Sequence, residues 1–272
     1  MTTLDTTPTR TATPSPDRPR TPGFLDDTWN VMVRELRPLL REPAMLVIAM
    51  VTPLVFLALF APLLPDDVRG SYPGSALQWF VPGIIAMTAL MGASMTGANL
   101  MQEVMTGSQE RLLVSPLSRS SLLVGRALKE VVPILAQAAI ILVVVTPFSF
   151  DLHPLGVLVG LVMISLFSIG VGSLSFALAI VAKDQDWLFW MVQQTLIFPV
   201  LLLAGVLLPL DGAPGWLSVL ADLNPLTYVV DALRALFAGE FPADVVGYGF
   251  LGAGAVAAIG LVLGLKAMRS AS

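Results

Sequence analysis

The side chains that could do covalent or acid–base chemistry are few, and they are badly spaced for it. His153 is the single histidine in 272 residues and cysteine is absent, which removes thiolate nucleophiles, disulfides and cysteine metal ligands. Ser94, in Gly92-Ala93-Ser94, and Ser173 are hydroxyls in apolar surroundings. Six-helix intramembrane serine proteases pair such a serine with a histidine base. Here His153 sits beside Pro154 in a short turn instead, so these serines read as small residues that ease helix packing. No catalytic residue and no metal site are expected. Nor is there a G-x-x-x-x-G-K-[ST] loop to cradle phosphates, or a polar segment large enough to house an ATPase domain. Three amides, Gln137, Gln193 and Gln194, lie within apolar runs. An amide in hydrocarbon seeks a partner on another helix or a wet cavity, so these three either bond helices together or line a substrate path.

The elements that carry these residues are membrane spans. With 56% hydrophobic and 12% charged residues, the chain is too apolar for a water-facing surface. Six runs approach the roughly 20 residues that cross a bilayer: 44–64, 79–98, 131–150, 154–182, 187–208 and 245–265. So drawn, none contains Asp, Glu, Lys, Arg or His. Proton-coupled pumps rely on intramembrane ionisable groups, so energy for uphill transport would have to enter from outside the bilayer. The expectation is an all-α polytopic protein with six transmembrane helices.

Basic residues set its orientation. Of fifteen, only Arg69 and Arg234 fall on one side of a six-span arrangement; the other thirteen, from Arg10 to Arg269, fall on the opposite side. That bias places both termini in the cytoplasm. Residues 1–25, rich in threonine and proline, bury too little apolar surface to offset chain entropy and read as a disordered tail. Residues 26–43 carry Trp29, Val33, Leu36 and Leu40 at helical spacing, with Arg34, Arg37 and Arg41 on other faces, which fits an interfacial helix on the inner leaflet. The membrane-embedded body would be 44–268, with a cytoplasmic loop at 99–130. The outer stretch 209–244 repeats apolar residues at Leu226, Val229, Val230, Leu233 and Phe237, too short a run to span. A helical hairpin dipping into the outer leaflet fits it.

Two stretches carry a family resemblance. The inner loop holds Glu103, Gly107, Glu110-Arg111-Leu-Leu, Ser115-Pro116-Leu117-Ser118-Arg119 and Leu-Leu-Val-Gly125-Arg126. The outer stretch holds Pro214-Gly-Trp216-Leu, Asn224-Pro225-Leu226-Thr227-Tyr228, Asp231, Arg234 and Gly239. Both resemble ABC transporter permeases of the second exporter type, and the likeness covers residues 26–268; the basic residues that often precede the loop's glycine are replaced by Glu103, Val104, Met105 and Thr106. The resemblance implies a coupling helix at Glu103, Gly107, Glu110, Arg111, Ser115, Pro116 and Arg119 that meets a cytoplasmic ABC ATPase subunit, which would hold ATP and Mg. This chain itself would bind no cofactor. It implies an outer re-entrant hairpin or gate at Trp216, Asn224, Pro225, Tyr228, Asp231 and Arg234, and a second permease copy as homodimer or paired partner in a bacterial cell membrane. The Ser-Pro-Leu-Ser-Arg turn looks most like the daunorubicin-resistance branch, hence export of a hydrophobic drug-like or lipid-like substrate. Permeases for polysaccharide, teichoic acid or lipid share the scaffold. No nucleic-acid partner is expected.

Overall fold

A computed structural model describes residues 23–270 except 42, 64–74, 106–118, 149, 208 and 211; the side chains of 38–40, 43, 45, 46, 61, 104, 105, 119 and 120 also lie outside the described set. Among the described residues every regular element is helical. In chain order these are α1 (Phe24–Arg41), α2 (Pro43–Phe60), a 3₁₀ turn (Ala61–Leu63), α3 (Ala76–Met105), α4 (Arg119–Val145), α5 (Pro154–Val181), α6 (Asp186–Leu203), α7 (Gly215–Asp222), α8 (Pro225–Phe237) and α9 (Ala243–Ser270). Five of them, α3, α4, α5, α6 and α9, are long and apolar enough to cross a membrane. The apolar stretch of α2, Val47–Phe60, is shorter.

Prolines 53, 82, 133 and 199 lie inside α2, α3, α4 and α6. Neighbouring helices and local adjustment re-satisfy the carbonyls they free, so such prolines are tolerated in membrane helices. The chain also passes through position 38 without breaking α1.

At the centre α5 touches α3, α4, α6, α8 and α9. With no water to drive helices together in lipid, close backbone approach has to supply the attraction. A Cβ on Gly260 of α9 would overlap the Gly170 carbonyl of α5, and one on Gly156 would overlap the Leu236 carbonyl of α8. The Gly156/Gly160 and Gly260/Gly264 pairs therefore face neighbours within the chain. Around α3 the packing is nearly complete, with residues 78–90 buried throughout. By contrast α6 shows Trp187, Trp190, Met191, Leu196, Phe198 and Leu202 outward, and α2 shows Val47, Ile48, Val51, Val55 and Leu59.

The helices leave two distinct ends. One gathers the starts of α3, α5 and α9, the end of α6, and the short helices α7 and α8 over a large core that includes Phe80, Ile84, Leu226, Leu233 and Phe237. The other gathers α1 and the ends of α3, α5 and α9 around a smaller core of Val31, Met101, Leu123, Phe176, Phe189 and Met268. Helical structure continues beyond the expected spans here: α3 runs to Met105, and α4 already starts at Arg119. Most of the loop expected at 99–130 is thus helix, and Arg126, Lys129 and Glu130 fall inside the apolar stretch Ser121–Val145.

Candidate functional site

At the first end, the Asn-Pro-Leu-Thr-Tyr segment folds α7 and α8 into a hairpin by satisfying backbone groups one at a time. Asn224 is the N-cap of α8, its side chain accepting from the Leu226 N–H at 3.1 Å, and Pro225 fills the first helical position, where no N–H is needed. The Asn224 amide also donates to the Val200 carbonyl of α6 at 2.8 Å. Thr227 lies 2.9 Å from the Ala221 carbonyl and 3.1 Å from that of Leu203, and the Tyr228 hydroxyl donates to the Asp222 carbonyl at 2.7 Å. Each polar residue of the motif binds the hairpin either to itself or to the end of α6.

Helix α8 is buried among α3, α5 and α9, with Leu226, Val229, Val230, Leu233, Leu236 and Phe237 wholly enclosed. Its far end closes as a Schellman motif: Gly239 takes φ of 82° while the Gly239 N–H bonds to Leu236 and the Glu240 N–H to Ala235. The Phe237 carbonyl there accepts from the Gln78 amide at 2.5 Å, and His153 Nδ1 donates to it at 3.1 Å. In the last turn of α8, Arg234 reaches across. It donates to the Gly205 carbonyl at 2.7 Å and the Trp79 carbonyl at 3.3 Å, pairs with Asp231 at 3.4 Å, and stands 4.0 Å over the Trp79 ring. A cavity of about 230 Å³ lies beside it, lined by Gly205, Ser218, Thr227, Asp231 and Arg234 among others. Trp216 points outward from α7.

The second end is held by charge. Arg126 of α4 pairs with Glu103 of α3 and lies 3.8 Å from Glu35 of α1. Glu35 also faces Lys129 at 3.8 Å, and Lys129 faces Glu130 at 3.4 Å. Arg126 stacks 5.6 Å from the Phe176 ring of α5 and is only 7% exposed. Charges so deeply buried persist only when paired, because an isolated one costs several kcal/mol to desolvate. Next to it, Gly125 lets α1 touch α4: a Cβ there would strike the Thr28 carbonyl and Val31. The two helices that bracket residues 106–118 are thereby fastened to each other and to α1.

The family described as ABC-2 type transporter matches residues 27–238. The chain belongs to that family.

Individual ABC-2 relatives bear it out. The chain is 30% identical over 222 residues to the putative transport permease ycf38 of Cyanophora paradoxa, covering 79% of this chain and 75% of that protein. It is 24% identical over 235 residues to the daunorubicin resistance ABC transporter permease protein DrrB1 of Streptomyces coeruleorubidus, covering 85% and 81%. Over 184 residues it is 28% identical to the probable multidrug ABC transporter permease YbhR of Escherichia coli, covering 66% and 49%. The all-helical fold, the membrane-spanning character and the permease role all agree with membership of the ABC-2 family.

The hairpin residues expected from the sequence come together, and Asn224, Pro225, Tyr228, Asp231 and Arg234 share one end of the protein. Of the inner-loop residues, Gly107, Glu110, Arg111, Ser115 and Pro116 lie outside the described residues, as does the side chain of Arg119. Glu103 turns back onto Arg126. The three glutamines separate: Gln193 lines a cavity, Gln194 is exposed, and Gln137 is buried on α4 away from that cavity. Ser94 and Ser173 each spend their hydroxyl on the carbonyl four residues back, Leu90 at 2.7 Å and Ile169 at 2.8 Å, and His153 is engaged with Phe237. No nucleophile–base pair forms among them. Sequence reasoning missed Gln78, His153, Glu35, Arg126 and Lys129 as structural ties. A buried polar residue at a helix end was the available signal, but its partners are remote in sequence.

Proposed function

We propose that this ABC-2 permease is the membrane half of an ATP-driven exporter in a bacterial cell membrane. Two copies would enclose the path, and separate cytoplasmic ATPase subunits carrying ATP and Mg would drive it. Both termini face the cytoplasm, and α2 serves as the sixth span despite its shorter apolar stretch. The charged network of Glu35, Glu103, Arg126 and Lys129 carries this reading, since it fastens the two helices that bracket residues 106–118 to α1. A push on the segment from Gly107 to Arg119 would then move α1, α3 and α4 as a unit. Basic residues support the orientation: Arg34, Arg37, Arg41, Arg126, Lys129, Lys183, Lys266 and Arg269 belong to the network end, whereas Arg234 stands at the hairpin end.

The substrate is a hydrophobic drug-like or lipid-like molecule, in keeping with the daunorubicin-resistance and multidrug names of two relatives. The outward apolar faces of α2 and α6 suit lipid or the second copy. Co-purification tests the reading: the tagged chain should retain its cognate ABC ATPase subunit through detergent extraction, and that complex should export such a compound. A chain that never retains an ATPase, and whose deletion leaves drug and lipid efflux unchanged, would contradict it.

A further inference from the structure

Helix α1 shows three faces. Thr28, Val31 and Glu35 form the face that α4 covers: Gly125 of α4 admits the Thr28 carbonyl and Val31, and Glu35 meets Arg126 and Lys129. About a right angle round the helix, Leu25, Trp29, Met32 and Leu36 recur at i, i+4, i+7 and i+11, the spacing of one apolar stripe. Leu25 is 79% exposed and Trp29 62%, while Met32 and Leu36 are half-buried. Arg34, Arg37 and Arg41, at i, i+3 and i+7, make the third face, and all three are exposed. Arg34 leans on Glu35, yet that carboxylate already faces Arg126 and Lys129. Neither Arg37 nor Arg41 has an ion-pair partner among the described residues.

A helix that touches its bundle on one side, is apolar at right angles to that contact and basic beyond it, suits a membrane surface. The apolar stripe alone would settle on any lipid, whereas surplus arginine charge selects anionic lipid. An acidic protein surface would answer the arginines but leave Leu25 and Trp29 in water; a bilayer answers both. We propose that α1 is a recognition surface for anionic phospholipid headgroups, with Leu25 and Trp29 seated among acyl chains and Arg37 and Arg41, assisted by Arg34, holding the negative charge. Assignment to the inner leaflet rests on the both-ends-inside reading; headgroup binding does not. Glu35 ties α1 to α4, so lipid held on this face bears on the helices that bracket residues 106–118.

The test uses the full-length permease, without ATPase, in phosphatidylcholine vesicles. Traces of phosphatidylglycerol or phosphatidylcholine with a photoactivatable diazirine in the acyl chain are added to both leaflets, and adducts are mapped by mass spectrometry. Both probes should mark α1 at residues such as Leu25, Trp29 and Leu36, with phosphatidylglycerol favoured about fivefold or more, the worth of one arginine near an anionic headgroup. The double variant Arg37→Gln/Arg41→Gln should bring the ratio close to one while phosphatidylcholine still labels α1, which shows that the helix keeps its place. Raising salt to about 1 M, where charges are screened within roughly 3 Å, should also lower the ratio. Lys266→Gln, at an exposed basic residue of α9, should leave it unchanged. Equal labelling by the two probes in the unaltered chain, a preference that survives the double variant, or no adduct on α1 with either probe would each overturn the proposal. Equal labelling combined with loss of ATPase retention in the double variant would assign the arginines to that subunit instead. Because the labelling is read without an ATPase, its failure and failure of the exporter reading are distinguishable.

Discussion

Arg234 shows how a charge can be structural at the rim of a membrane protein. Its guanidinium answers the carbonyls of Gly205 and Trp79 and covers the Trp79 ring, joining α8 to α3 and to the turn after α6. Arg234→Met keeps much of the volume but strands both carbonyls, each costing about 1–3 kcal/mol. Thermal unfolding of the purified variant should show a clear loss of stability; an unchanged Tm would mean that water takes over both bonds. Gly239 gives a second case. It holds φ of 82° and packs on His153, whereas Gly212 holds φ of 84° in open space. A left-handed alanine costs roughly 1–2 kcal/mol at either position, so Gly212→Ala should cost only that and Gly239→Ala more. Equal losses would show that the His153 contact yields freely. The sequence announced some of this. Asn224-Pro225 reads as a helix start because an Asn cap followed by Pro at the first helical position solves the unpaired N–H problem locally. The destinations of Arg234 and His153 depend on atoms far along the chain and could not be read that way.

At the scale of elements, hydropathy found where helices exist and misjudged how far they run. A window that counts Arg126, Lys129 and Glu130 as water-facing assigns them to a loop, yet α4 buries them because Glu35 of α1 and Glu103 of α3 arrive as counter-charges. The same pairing leads to a measurable difference. Arg126→Ala removes a mostly buried charge that faces both Glu103 and Glu35 and should cost about 3–5 kcal/mol, while Arg34→Ala, at an exposed ion pair with Glu35, should cost less than about 1 kcal/mol. Chemical denaturation of both variants in matched detergent checks this. If the two lose the same stability, the network is solvated and does not hold α1, α3 and α4 together. The amphipathic face of α1 was also only partly legible: Val31, Asp27 and Thr28 are buried against the bundle, while Trp29 points away.

For the whole molecule, charge bias supports the proposed six-span, both-ends-inside arrangement, and five of the described helices are long and apolar enough to span, beside a shorter α2. Because the chain has no cysteine, each introduced thiol reports on one position alone. Glu240→Cys, beyond the end of α8, should react with a membrane-impermeant maleimide on intact cells, and Ser270→Cys should react only after permeabilisation. The reverse pattern would invert the topology and place the charged network outside. Membership of the ABC-2 family was legible because its two motif clusters are local runs. The Gln193 cavity was not, since it forms only when α3, α5, α6 and α8 pack. The central claim is that ATP hydrolysis on a partner moves a hydrophobic molecule through this permease by way of residues 107–119. The most direct measurement is ATP-dependent transport of daunorubicin and of a fluorescent lipid in proteoliposomes containing the permease and its ATPase subunit, with Glu110→Lys and Arg111→Glu beside the unaltered chain. The unaltered complex should transport one of the two compounds only with hydrolysable ATP, and each charge reversal should lower transport and ATPase stimulation together by about tenfold or more, as expected for a desolvated interface charge left unpaired. Full transport by both reversed variants with the ATPase still bound, or no ATP-dependent movement of either compound, would contradict the account.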